Sequence, residues 1–78
     1  MTPAALVEYL ARRLVDEPDA VRVDEVDSNG DLVLRLHVAE ADRGKVIGRN
    51  GRMVRALRTV VRACGVHEDR RVLLEIVE

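Results

Sequence analysis

Aromatic side chains are nearly missing from this sequence of 78 residues: Tyr9 stands alone, with no phenylalanine and no tryptophan. Any core must therefore be aliphatic. A single cysteine, Cys64, excludes an internal disulfide, and nothing else points to an oxidising compartment. No apolar run approaches the ~20 residues needed to span a membrane. The start, MTPAALVEYL, has no basic leader before an apolar segment, so no secretory signal is expected. The length leaves room for one core and no more. These absences lead us to expect one cytoplasmic domain covering residues 1–78 with no membrane contact.

A local absence is more informative. Between residues 43 and 62 there is no Asp or Glu, while Arg43, Lys45, Arg49, Arg52, Arg55, Arg58 and Arg62 give +7. The rest of the chain holds six basic residues against fourteen acids, or −8, so the overall −1 conceals a segregated charge. Such a segment sets up a positive field that the acidic remainder cancels only in part.

Hydrophobic spacing supplies the elements. Thr2 suits an N-cap and Pro3 a first helical position, and Leu6, Val7, Leu10 and Leu14 make one apolar stripe up to the DEPD stop at 16–19. VRVDEVDS and DLVLRLHV flank Asn29-Gly30, a strong hairpin signal because a type I′ turn needs positive φ at both central residues. Val26 falls out of phase with Val21 and Val23, which predicts a bulge or an early end to pairing there. A short helix is expected from about Glu40 to Ile47. A longer one follows from about Gly51 to Cys64, with Met53, Leu57, Val60, Val61 and Cys64 on one face and Gly65 as its cap. The arginines at 52, 55, 58 and 62 fall on roughly the opposite face. RRVLLEIVE closes the chain as a strand. The order α-β-β-α-α-β predicts an α+β fold: a three-stranded mixed sheet with its helices packed on one face. Pattern alone leaves the strand order open.

Two helices joined by only Gly48-Arg49-Asn50-Gly51 must turn sharply. Gly48 can take a positive φ to end the first helix. Asn50 tolerates unusual φ and can cap the second, and Gly51 lets another backbone come close. The turn ends at a helix N-terminus whose free N–H groups suit a phosphate. Arg49, Arg52 and Arg55 add charge-assisted donors, with Lys45 one turn before. The chain does not have the Gly-Lys-Ser/Thr ending of a P-loop.

KVIGRNGRMVRALR resembles the signature of the K-homology (KH) domain: a branched apolar pair, Gly-x-x-Gly, then an amphipathic helix. The element order resembles the type II arrangement of that fold. Over its whole length the chain is similar to the small bacterial single-KH RNA-binding proteins of the KhpA family. The resemblance implies a loop, Gly48, Arg49, Asn50 and Gly51, that clamps the backbone of about four single-stranded RNA nucleotides. The bases would then lie in an apolar groove between the helices and a neighbouring strand. Ile47, with Val46, would floor that groove, and Lys45, Arg52 and Arg55 would flank the phosphates. It further implies a homodimer, or a heterodimer with a larger Jag-type KH protein, and a role as a post-transcriptional regulator or RNA chaperone. The scarcity of aromatics agrees, since RRM and OB-fold readers stack bases on rings this chain does not have.

Nothing here reads as an enzyme or asks for a cofactor. Cys64 falls on an apolar helix face as a buried structural residue, with no histidine nearby in sequence to activate it. His37 and His67 lack metal-ligand spacing and read as surface residues. Asp16, Glu17 and Asp19 read as a loop cluster. The competing reading is a protein-interaction module of the same fold that mainly dimerises or docks, with Val33, Leu73 and Val77 giving the outer sheet face an apolar patch.

Overall fold

A computed structural model describes the backbone of residues 1–78 and every side chain except those of His67 and Glu68. The reading of His67 as a surface residue therefore falls outside the described side chains. The elements are α1 (Pro3–Leu14), β1 (Arg22–Ser28), β2 (Asp31–His37), α2 (Arg43–Ile47), α3 (Arg52–Glu68) and β3 (Val72–Ile76). Short 3₁₀ turns at Pro18–Ala20, Glu40–Asp42 and Arg49–Gly51 lie between them. Thr2 Oγ1 accepts from Ala5 N at 3.1 Å and Pro3 opens α1, as its sequence dictates.

Asn29 and Gly30 both take positive φ (54° and 88°), the type I′ requirement, and they hold Ser28 opposite Asp31. Pairing then runs unbroken from Ser28–Asp31 to Arg22–His37, so the bulge expected at Val26 is not formed. Val26 is instead an ordinary residue of the outer face, 41% exposed and directly opposite Val33. The sheet order is β1-β2-β3, antiparallel then parallel, with Val33 opposite Leu73 in the parallel pair. A parallel third strand follows from a connection that carries two helices back along the sheet.

One aliphatic core fills the space between helices and sheet. Val7 and Ala11 come from α1, Leu32, Leu34 and Leu36 from β2, Val46 from α2, Leu57 and Val61 from α3, and Val72 and Leu74 from β3. Tyr9 stays half outside this core, with its ring beneath Arg13 at 5.2 Å.

The structure also revises several details of α3. Its buried face is Val54, Leu57 and Val61; Val60 is exposed, and Met53 and Cys64 are half-buried. The helix does not stop at Gly65 but continues to Glu68, with Asp69 in the left-handed region after it (φ 56°). Gly65 serves packing: a Cβ there would stand 3.1 Å from the Arg70 carbonyl oxygen. His37 is more than a solvated residue. Its Nε2 lies 2.9 Å from Asp24 Oδ2, and this hydrogen bond is the main reason the Asp24 carboxyl sits below its ordinary pKa.

Candidate nucleic-acid interface

The turn between α2 and α3 depends on unusual backbone dihedrals at three of its four residues. Gly48 takes φ 79°, ψ 168°, a region open essentially to glycine alone. Its N–H donates to the Gly44 carbonyl at 2.8 Å, which closes α2. Asn50 (φ 58°) and Gly51 (φ 73°) are both left-handed, and Gly51 N donates to the Gly48 carbonyl at 3.1 Å. Gly51, not Asn50, is the N-cap of α3, and no side chain caps that end.

The close approach expected at Gly51 is found at Gly48. A Cβ on Gly48 would meet Met53 Cβ and Met53 N at 2.7 Å, whereas one on Gly51 would only graze Val54 at 3.9 Å. Gly48 therefore brings α2 and the start of α3 into contact, and Gly51 only supplies a dihedral. Val46 is fully buried in the core, so it is Ile47, 39% exposed, that remains beside the turn.

The distribution of cation partners is the main electrostatic fact. Among the described residues, seven of the thirteen basic side chains have a carboxylate partner, including Arg35 with Glu75 at 3.1 Å and Arg71 with Asp31 at 2.7 Å. Arg13 bonds Tyr9 Oη at 3.0 Å. Apart from Arg13, those with no acidic partner are Arg49, Arg52, Arg55, Arg58 and Arg62, and all five belong to the turn or to α3. All are exposed. At 1.5 Å per residue, Arg52 to Arg62 covers about 15 Å of helix.

Lys45 is placed differently. Its ammonium is held by Asp16 and lies 3.7 Å from Asp42 Oδ1, and its pKa is raised, chiefly by the Asp16 hydrogen bond. Asp42 is the one buried charged group among the described residues, 2% exposed, and its Oδ2 accepts from Glu17 N at 3.0 Å. Together Asp16, Asp42 and Lys45 fasten α2, only five residues long, to the segment after α1. Replacing Asp42 with alanine orphans the Glu17 N–H and is expected to lower stability by about 1–3 kcal/mol. Thermal melting would read this, and Asp42→Asn, which keeps an acceptor, should cost less.

Arg58 and Arg62 were not among the expected site residues, yet they line a cleft of about 570 Å³ with Val33, Leu73 and Glu75. The cleft runs along β3, an edge strand, and Arg58 Nε donates to the Leu74 carbonyl at 3.4 Å. Their spacing in the arginine stripe was the available signal; what it could not show was the strand edge that faces them. Among the described residues, no group of His, Cys, Asp and Glu could hold a metal ion. No described helix is long and apolar enough to cross a membrane.

The family model described as "KhpA/KhpB, KH domain" matches residues 4–76. The chain belongs to this family. It is 49% identical over 72 residues to the RNA-binding protein KhpA of Clostridium acetobutylicum, covering 92% of this chain and 96% of the relative. It is 41% identical to that of Bacillus subtilis over 73 residues, covering 94% of this chain and 90% of the relative. In fold, this KH domain is similar to part of a solved chain of Aquifex aeolicus Era with GDP.AlF4 bound, at TM-score 0.61 and 20% identity. The match covers 95% of this chain but only 29% of the Era chain. The α-β-β-α-α-β order and mixed sheet are those of a type II KH fold.

Proposed function

We propose that this KH domain binds single-stranded RNA without chemical turnover, holding the backbone of about four nucleotides at Gly48, Arg49, Asn50 and Gly51. The observation that carries this reading is that five of the six arginines without an acidic partner among the described residues gather in the turn and α3, the sixth, Arg13, being bonded to Tyr9. Arginines already paired with a carboxylate would have to exchange one anion for another; these five need not. Arg49, Arg52 and Arg55 flank the phosphates, Ile47 borders the path, and the α3–β3 cleft takes bases against Val33 and Leu73. Lys45 joins only if RNA draws it from Asp16. The curated relatives' name, RNA-binding protein, supports the same reading. A cytoplasmic regulator or RNA chaperone is the role that fits a module of this kind.

Salt tests it directly. Each neutralised phosphate of a single strand contributes about −0.7 to the slope of log K against log salt. Three contacts predict a slope of about −2, and engagement of all five arginines about −3.5. Fluorescence anisotropy with a short RNA at several salt concentrations measures it, and a slope near zero would reject phosphate clamping.

A second reading, docking on another copy or on a larger Jag-type KH protein, is favoured by the outer sheet face. Val26, Val33 and Leu73 share one cross-strand row there, with Val26 and Leu73 exposed. Two linked KH domains on one RNA would gain avidity, but a partner covering Val33 and Leu73 would compete with bases for the α3–β3 cleft.

A further inference from the structure

We infer that Arg58 makes the α3–β3 cleft selective for guanine over adenine; the inference rests on the RNA-binding reading above. The cleft's lining contains three charged side chains, Arg58, Arg62 and Glu75. The only carboxylate among them, Glu75, is already held by Arg35 at 3.1 Å. The Leu74 carbonyl at the strand edge accepts from Arg58 Nε. The side-chain groups left to meet a base are therefore guanidinium N–H groups, which donate and never accept.

Guanine presents two adjacent acceptors, O6 and N7, which an arginine fork meets in a bidentate pair. Adenine places an amino group where guanine has O6, and against the Arg58 fork that donor faces another donor. A polar group buried without a partner is what makes the wrong base costly. Arg58 is better suited than Arg62, because its Nε bond to the Leu74 carbonyl fixes the side chain and leaves both terminal nitrogens to bond the base. The apolar wall of Val33 and Leu73 gives the base a face to lie on without an aromatic ring.

The test uses a short oligouridylate carrying one central purine, titrated against the intact chain. Guanosine should bind roughly tenfold more tightly than adenosine. Inosine, which keeps O6 and N7, should match guanosine, and 7-deazaguanosine, which lacks N7, should fall toward adenosine. Arg58→Gln should move the preference toward adenosine, since a glutamine amide pairs with adenine N6 and N7. Circular dichroism confirms that this exposed substitution leaves the fold intact. Equal binding of guanosine and adenosine RNA by the wild-type chain overturns the inference alone. So does an Arg58→Gln variant that weakens every RNA by one factor while the salt slope falls, the mark of a phosphate contact. Failure of the wild-type chain to bind any of these RNAs overturns the RNA-binding reading and the inference with it.

Discussion

Replacing Arg49 and Asn50 together with aspartate is expected to weaken RNA binding by on the order of a hundredfold or more while the domain stays folded. Both side chains are exposed, and Arg49 has no acidic partner among the described residues, so the fold loses no ion pair. Binding loses a charge-assisted hydrogen bond worth about 1.5–3 kcal/mol and gains two anions beside the phosphates. Asn50 takes φ 58°, and aspartate shares asparagine's tolerance of that region, so the turn can keep its shape. Anisotropy with a short RNA reads the affinity and thermal melting reads the fold. A folded double variant that binds RNA like the wild type would exclude the turn as the clamp. A complex formed through the outer sheet face, by contrast, should be indifferent to these substitutions, and sedimentation of wild type and variant would show it.

The second large effect is on stability. Gly48→Ala is expected to destabilise the domain by about 2–4 kcal/mol, because a methyl group there adds two costs. The φ of 79° with ψ 168° is backbone strain of about 1–3 kcal/mol for a residue with a side chain. The new Cβ would also lie 2.7 Å from Met53 Cβ and Met53 N, and a backbone nitrogen cannot swing aside as a side-chain tip can. At roughly 4–8 °C per kcal/mol for a domain of this size, the melting temperature should fall by at least about 8 °C. Gly51→Ala provides the contrast. It meets only the left-handed dihedral, with Val54 no closer than 3.9 Å, and should cost about 1–2 kcal/mol. If the two variants melt together, the Gly48–Met53 contact does not govern this turn.

These expectations also show which features were legible in the sequence. The turn at Asn29-Gly30, the cap at Thr2, the strand alternation of β2 and the arginine stripe of α3 depend on neighbours within about four residues, and each was readable from spacing. Gly48-Arg49-Asn50-Gly51 was readable for the same reason, since a four-residue link between helices forces unusual dihedrals on its own members. Val26 misled because strand phase was judged from β1 alone. Its place is set by Val33 across the sheet, and an edge strand can leave a valine on the outer face at little cost. Gly65 misled because helix ends are decided by competition: the packing of Val61 and the approach of the Arg70 carbonyl carry α3 past a residue that could have stopped it.

By itself the sequence determined the element order, the hairpin, the turn and the place where positive charge gathers, because local dihedral preferences and the 3.6-residue period act without knowledge of the rest of the chain. Only the tertiary structure decided the β1-β2-β3 order with its parallel pair, the pairing of Lys45 with Asp16 across 29 positions, and the setting of Arg58 against the edge of β3. These depend on which surfaces meet once the aliphatic core closes. Local spacing carries no record of that choice, and here it separates the seven cations given to carboxylates from the five arginines of the turn and α3 that have none among the described residues.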